Sequence, residues 1–327
     1  MDKAIEVRNL KRVYRRLREP PFVAVDNMNF DVYEGEIFGL LGPNGAGKTT
    51  VIKILSTLLY PTEGFVRVGG FDVYRDVESI RSIINLVTGG EVAGYGILTV
   101  KESLWMFSQF YGIETKEALR RIEKYLKIVD MWDSRDTFLN KLSTGMVQRI
   151  NLVRGLITDP KILFLDEPTL GLDVEGGRIV REIIKTWIGE REGRTVLLTT
   201  HYMAEADELC DRIAIINRGK LVACDTPENL KASISQDKYF EITVPYSKDL
   251  REEFLTNING KVSIRDFPEN GESLISLSLG EDKEIANFIT ILTQRGLEIK
   301  TFRKVEPTLE DVFIKLVGRK FEDEEAR

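Results

Sequence analysis

The 327-residue sequence contains only two cysteines, one histidine and no long apolar segment. Cys210 and Cys224 lack the spacing of a metal site and are too few for a disulfide framework, which is typical of a reducing cytosol. No apolar run approaches the roughly 20 residues that are needed to span a bilayer. The segment Met1-Asp2-Lys3-Ala4 does not open a signal peptide. We therefore expect neither a secreted disulfide-rich protein nor an integral membrane protein.

An excess of positive charge is also missing. The formal net charge is −6, and the hydrophobic and charged fractions of 43% and 30% are those of an ordinary globular protein. An acidic balance gives no electrostatic reason to expect nucleic-acid binding. The length allows a full-sized core and two domains.

The strongest pattern present is a glycine-rich segment between an apolar strand, 36–41, and a helix that continues through 51–55. It has the spacing of a phosphate-binding P-loop, in which backbone N–H groups and a helix N-terminus converge on a phosphate. A lysine in this loop reaches the β- and γ-phosphates, and the following threonine can bind Mg²⁺. The predicted nucleotide-binding residues are Gly42, Pro43, Asn44, Gly45, Ala46, Gly47, Lys48, Thr49 and Thr50.

A second candidate segment is the apolar strand 162–165, which ends in Asp166 and Glu167. A carboxylate at the carboxyl end of a parallel strand points into the crevice where ligands bind. Asp166 is placed to hold Mg²⁺, directly or through water. Glu167 can orient and polarise an attacking water molecule.

The pattern of apolar residues divides the chain into two predicted domains. Residues 1–235 combine alternating strands near the N-terminus with uniformly apolar strands that alternate with helices, which indicates a largely parallel sheet covered on both faces. Residues from about 92 to 150 show helical spacing and predict a helical subdomain. The expected first domain is a mixed-sheet α/β core with a small antiparallel β part and this helical subdomain.

Residues 236–327 predict a smaller α+β domain. The order of strands and helices is βαββαβ, the ferredoxin-like plan, followed by a helix that begins near Thr308. The predicted segments are strand 239–244, helix 249–257, strands 261–264 and 273–279, helix 284–294 and strand 297–302.

The segment Leu142-Ser143-Thr144-Gly145-Met146-Val147-Gln148-Arg149 resembles the signature motif of the ATP-binding-cassette (ABC) family. Thr144 and Met146 depart from that motif, whereas Ser143 and Gly145 are retained. The resemblance covers about the first 230 residues and implies an α/β P-loop NTPase cassette that binds ATP and Mg²⁺. It also implies a dimer in which Ser143 and Gly145 of one subunit close over the nucleotide of the other.

Three further residues follow from the same resemblance. Pro168 to Asp173 is similar to the family's D-loop, which places Asp173 near the nucleotide. His201 lies at the position of a switch histidine that contacts the γ-phosphate. Tyr14 matches the aromatic residue that stacks on adenine. With Lys48 and Glu167, His201 forms the expected catalytic set.

One family motif is missing from the sequence. The family carries a glutamine in the loop between its subdomains, and residues 84–92 contain none. Glu91 is a candidate metal-facing replacement, and Thr88 is another residue that could reach the water shell. A third alternative is that nothing replaces the glutamine.

Glu306 to Phe313 is similar to the end of drug-resistance-type exporter ATPases. The resemblance implies an ATP-hydrolysing subunit at the cytoplasmic face of the membrane, attached to a separate permease that exports drugs, lipids or other amphipathic compounds. It pairs with a second copy or with a related cassette, and no nucleic-acid partner is expected. For the C-terminal domain we expect dimerisation or regulation, with small-ligand sensing as an alternative. Two alternative functions are a soluble cassette ATPase acting on nucleic acid or ribosomes, and a nucleotide-binding module without turnover.

Overall fold

The computed structural model describes residues 2–15, 20–89, 95–234, 238–246, 260–279, 282–294 and 296–318. They form two compact units, one that extends to Pro227 and one that comprises Glu228–Gly318. The first unit contains, in chain order, β1 (Lys3–Tyr14), β2 (Phe22–Tyr33), β3 (Ile37–Leu41), α1 (Lys48–Leu55), β4 (Glu63–Val68), β5 (Phe71–Asp72), α2 (Val77–Ile83), β6 (Ile84–Thr88), α3 (Val100–Phe110), α4 (Thr115–Ile128), α5 (Thr144–Leu156), β7 (Ile162–Asp166), α6 (Val174–Gly189), β8 (Thr195–Thr200), α7 (Met203–Leu209), β9 (Arg212–Asn217) and β10 (Lys220–Asp225).

The first unit is built on two sheets. The larger has six strands in the order β10-β9-β3-β8-β7-β6, of which only β10 runs antiparallel to its neighbour. The smaller is antiparallel, with the order β2-β1-β4-β5. This architecture confirms the predicted mixed-sheet P-loop core with its antiparallel part.

Burial explains why these strands form two kinds of sheet. All residues of β3, β7 and β8 are buried, as in a parallel sheet that is covered on both faces. β1 and β2 instead contain alternating buried and exposed residues, as expected where one face meets solvent. Their inward side chains pack with α1 and the parallel strands in one hydrophobic core.

The helical part contains α3, α4 and α5, and α5 continues to Leu156, beyond the predicted limit of 150. Thr99 begins α3 with a capping box, because its hydroxyl accepts from the N–H of Glu102 and its own N–H donates to the Glu102 carboxylate. Ser143 caps α5 by accepting from the N–H of Met146 at 3.3 Å. The signature segment therefore lies at a helix N-terminus.

The second unit has a four-stranded antiparallel sheet in the order β12-β13-β11-β14. This is the strand order of the ferredoxin-like plan, and one apolar face packs with α9 around Phe288 and Leu292. The predicted strand 297–302 is wrong in position, because the strand begins only at Thr301. The predicted helix 249–257 lies outside the described residues. The elements are α8 (Pro227–Ala232), β11 (Lys238–Pro245), β12 (Gly260–Phe267), β13 (Glu272–Leu279), α9 (Asp282–Gln294), β14 (Thr301–Val305) and α10 (Leu309–Val317).

Among the helices of the described ranges, none is both long enough and apolar enough to cross a membrane.

Candidate active site

The P-loop connects the buried strand β3 to helix α1. Gly47 precedes the helix with φ +106°, a left-handed conformation that favours glycine, and a Cβ atom there would lie 2.6 Å from the carbonyl oxygen of Ala24. Lys48 is buried, and its Nζ donates to the carbonyl oxygen of Gly42 at 2.6 Å. The lysine therefore lies under the loop with its charge directed into the loop's concave side.

A cavity of about 240 Å³ opens at this loop. Its lining combines P-loop residues with Glu167 from the end of β7 and with two residues of β2, Phe22 and Ala24. The P-loop members are Asn44, Gly45, Gly47, Lys48, Thr49 and Thr50. The two regions that the sequence identified separately thus meet at one cavity.

Two oxygen atoms suited to a hard cation lie at the edge of this site. The Thr49 hydroxyl lies 3.3 Å from Oδ1 of Asp166, and the Thr199 hydroxyl donates to the same oxygen at 2.5 Å. Hydroxyl and carboxylate oxygens are ligands that Mg²⁺ prefers, and Mg²⁺ is usually held by one or two protein groups plus substrate phosphates. The donor set of Thr49 and Asp166 fits such an ion. The described residues contain no cluster of three or more acidic, histidine or cysteine side chains arranged for a metal.

The Glu167 carboxylate lies between the side chains of Lys48 and His201. Its Oε1 is 3.1 Å from Nζ of Lys48, and its Oε2 is 2.6 Å from Nδ1 of His201. The backbone of Glu167 has φ +55°, which is uncommon for a residue other than glycine, and its N–H donates to the carbonyl oxygen of Thr199 at 3.2 Å. Of the predicted catalytic residues, Glu167 therefore contacts both Lys48 and His201.

The signature residues lie elsewhere on the surface of the subunit. Ser143 is exposed, Gly145 has only Leu172 near the position of a Cβ atom, and neither lines the cavity at Lys48. Asp173 caps α6 by accepting from the N–H of Gly176 at 2.8 Å. Buried Gln148 connects the two segments, because its Nε2 donates to the carbonyl oxygen of Pro168 at 2.8 Å. The α5 N-terminus and the D-loop are thus joined to each other.

Tyr14 lies at the end of β1, opposite Phe22 of β2. Its hydroxyl is 3.5 Å from that of Thr50, and the Arg12 guanidinium lies over its ring at 4.9 Å from the centroid. Arg12 is itself held by a hydrogen bond to the carbonyl oxygen of Tyr60 at 2.9 Å. One face of the Tyr14 ring is therefore occupied by a fixed cation.

Three residues at the site were not predicted from the sequence. Phe22, 60% exposed, lines the cavity, Thr199 holds Asp166, and Gln148 joins the signature helix to the D-loop. Phe22 lies at the exposed start of β2 and belongs to none of the sequence motifs. The roles of Thr199 and Gln148 could not be predicted from the sequence, because the residues that they contact are distant along the chain. Glu91 lies outside the described residues.

A buried carboxyl group lies in α7, the helix that follows His201. Glu205 in α7 is 3% exposed, and desolvation on burial raises its pKa above the ordinary value of 4.5. The hydroxyls of Thr200 and Thr169 and the charge of Arg181 offset this only in part. Glu205 thus lies between the end of β8 and the D-loop.

Comparison with known families gives two matches. Residues 25–170 match the family described as ABC transporter. Residues 226–317 match the family described as ATP-binding protein DrrA1-3-like, C-terminal domain. The first match contains the P-loop, the signature segment and the Asp166–Glu167 pair.

Curated relatives align over almost the whole chain. The daunorubicin/doxorubicin resistance ATP-binding protein DrrA of Streptomyces peucetius is 32% identical over 98% of this chain and 94% of its own length. The linearmycin resistance ATP-binding protein LnrL of Bacillus subtilis (strain 168) is 31% identical over 98% of this chain and 100% of its length. The Nod factor export ATP-binding protein I of Sinorhizobium fredii is 35% identical over 98% of this chain and 88% of its length.

Solved structures align with the larger part of the chain. The ATP-binding cassette MJ0796, a dimer in a post-hydrolysis state bound to ADP and Pi, has a TM-score of 0.62 and 26% identity. That alignment covers 68% of this chain and 98% of the other. A structure described as the ATP-binding subunit of an ABC transporter has a TM-score of 0.63 and 27% identity, over 71% of this chain and 93% of the other.

Proposed function

Because this chain belongs to the ABC transporter family of ATP-binding subunits, we propose specific roles for its site residues, its metal, its second cassette and its membrane partner. It is an ATPase subunit that powers an exporter. The observation that supports the residue assignments is the contact of one carboxylate, Glu167, with both Lys48 and His201 beside the P-loop.

ATP binding uses the P-loop first. Backbone N–H groups of residues 44–50 and the N-terminus of α1 bind the phosphates, and Lys48 supplies a positive charge to the β- and γ-phosphates. Thr49 and Asp166 are the residues that would hold Mg²⁺. When bound there, the ion would supply positive charge that offsets the negative charge developing on the phosphates.

Hydrolysis then needs a positioned water molecule and a stabilised phosphoryl group. Glu167 is the group that orients and polarises the water, since its carboxylate faces the cavity next to Lys48. His201 uses Nδ1 to hold Glu167, which leaves its Nε2 to contact the transferring phosphoryl group. Catalysis in this class is mostly positioning and charge stabilisation.

A second cassette completes the site in this proposal. The N-terminus of α5, with Ser143 and Gly145, is exposed and does not reach its own P-loop cavity. A helix N-terminus favours an anion, so the α5 terminus of one subunit fits the γ-phosphate held by another. Asp173 and exposed Val174, 89% accessible, would lie at the same contact.

The membrane permease requires a separate surface. A cleft of about 450 Å³ lies between the α/β core and the helical part, with exposed Leu58 and Tyr111 and the two arginines Arg81 and Arg154 along it. β6 forms its floor through Asn85 and Leu86, and the last residue of β6 lies opposite Asp166. We assign this cleft to an amphipathic cytoplasmic segment of the permease that carries carboxylates, at the cytoplasmic face of the membrane.

The function is tested by phosphate release from Mg·ATP. The parent protein should show steady turnover, which a binding module without turnover would not. Glu167→Gln should keep ATP binding and lose most of the turnover. Turnover of Glu167→Gln at the parent rate would show that another group activates the water.

The partner is tested by purification from native membranes. A polytopic membrane protein should accompany the parent subunit, and Leu58→Asp together with Tyr111→Asp should reduce its recovery. An equivalent change at exposed Phe65, 38% accessible on β4, is the matched control. ATPase activity stimulated by DNA, RNA or ribosomes without any membrane protein would instead support the alternative cassette function.

A further inference from the structure

The end of β6 lies directly against the segment that carries the two active-site carboxylates. β6 pairs in parallel with β7, and Thr88 lies opposite Asp166. The next residue, Gly89, donates its backbone N–H to the carbonyl oxygen of Asp166 at 2.8 Å. Among the described residues, β6 is the edge strand on this side of the sheet. The Gly89 hydrogen bond therefore continues the β6–β7 pairing as far as the active-site carboxylates.

Gly89 has no room for a side chain. A Cβ atom at this position would lie 2.5 Å from the carbonyl oxygen of Glu167 and 3.3 Å from that of Asp166. Both neighbours are backbone atoms, which cannot rotate away as the end of a flexible side chain can. The φ angle of Gly89 lies outside the left-handed region, so close approach alone demands glycine here.

The atom that a side chain would displace belongs to a residue in an unusual conformation. Glu167 has φ +55°, and its N–H is held by the carbonyl oxygen of Thr199 on the opposite side, at 3.2 Å. Because a Cβ atom would press on two consecutive carbonyl oxygens, the Asp166–Glu167 backbone has to shift as a whole, and the Cα atom of Glu167 carries its carboxylate with it. The contacts of that carboxylate with Lys48 and His201, at 3.1 and 2.6 Å, leave little tolerance for such a movement.

We propose that Gly89 is a positioning residue for Glu167, and that its lack of a side chain sets the direction of the carboxylate that activates water. This inference rests on the proposed role of Glu167. Neither substrate nor metal touches Gly89 in this proposal; it acts through Glu167.

The test is the ATPase kinetics of Gly89→Ala. A shift of about 1 Å in a catalytic group costs up to about 10²-fold in rate, so kcat should fall ~10–100-fold. The Kd for a fluorescent ATP analogue should stay at the parent value, because the P-loop is untouched. The matched control is Gly155→Ala, whose Cβ atom would lie 2.5 Å from Val87 on the same strand but not near Glu167. It should keep kcat even where it lowers thermal stability.

A double variant separates a positioning role from a structural one. If Gly89 acts through Glu167, then Gly89→Ala should slow the parent protein but have no further effect on Glu167→Gln. Additive losses of rate, parent-like kcat in Gly89→Ala, or loss of folding or nucleotide binding would each overturn the proposal. Parent-like turnover of Glu167→Gln would instead contradict the proposed role of Glu167 itself, so the two failures are distinguishable.

Discussion

Nδ1 of His201 lies 2.6 Å from Oε2 of Glu167, which joins the ends of two neighbouring parallel strands, β8 and β7. Since this contact uses one carboxylate oxygen, the other oxygen of Glu167 is left for a second partner. For Glu167 that partner is Lys48, at 3.1 Å. We therefore expect a triphosphate in the P-loop to compete with Glu167 for Lys48.

We expect His201→Ala to lower kcat by about 10²-fold while ATP binding persists, because one stabilising donor at a transition state contributes about 10²–10³. The measurement is kcat alongside the Kd for a fluorescent ATP analogue. Tyr202→Phe is the control, since the Tyr202 ring packs on His201 at 4.0 Å between centroids and would be kept. Equal kinetics in the alanine variant and the parent would remove His201 from the mechanism.

Thr199→Val should lower the apparent affinity of the ATPase for Mg²⁺. Its hydroxyl donates to Oδ1 of Asp166 at 2.5 Å, and loss of a partner that orients a metal ligand typically costs about 10–100-fold in affinity or activity. A titration of ATPase activity with Mg²⁺ should show a higher half-saturating concentration. Thr195→Val, the same change at a buried site on the same strand, should leave the titration unchanged. Identical titrations for both variants would contradict the assigned role.

Tyr14→Ala should weaken ATP binding by about 1–3 kcal/mol, the range measured for stacking of a base on an aromatic side chain. Tyr14→Phe should retain the affinity, because the hydroxyl contact with Thr50 is long at 3.5 Å. Arg12→Met should weaken ATP binding by about 0.5–1 kcal/mol, because the cation–π contact that holds the Tyr14 ring is lost. Binding of ATP and of a triphosphate lacking the base should be compared. An equal loss for both ligands would show that Tyr14 does not contact the base.

The pH dependence of stability should report Glu205. Burial raises the pKa of this carboxyl above 4.5, so the folded protein keeps a proton that the unfolded chain has already released. The free energy of unfolding therefore decreases as pH rises from about 4.5 through the raised pKa of the folded state. Glu205→Gln should lose this decrease in urea titrations at a series of pH values. Exposed Glu208 on the same helix provides the control variant, Glu208→Gln, and parallel curves for all three proteins would refute the assignment.

Local patterns were enough to predict most elements of the first unit. The apolar run at 162–165 corresponds to β7, and the helical spacing between about 92 and 150 corresponds to α3, α4 and most of α5. The pattern was insufficient where strands are edge strands with mixed exposure, as in β10, which was not expected. β2 is also an edge strand, and Phe22 lies at its exposed start. In the second unit, β14 is largely exposed and does not alternate between apolar and polar residues. The strand predicted at 297–302 was therefore placed too early in the sequence.

The sequence alone was enough to predict a nucleotide site at the end of a parallel sheet. The residues that indicated it are the spaced glycines with their lysine and threonine, and the two acids after an apolar strand. Those features are local, because a P-loop and a strand terminus are each made by consecutive residues. Only the tertiary structure, which pairs strands distant in sequence, decided three features. These are the contacts of Glu167 with Lys48 and His201, the hydrogen bond from Thr199 to Asp166, and the lack of space at Gly89. Each is a distance between separate segments. The register of the paired strands sets such distances, and no pattern along one strand contains them.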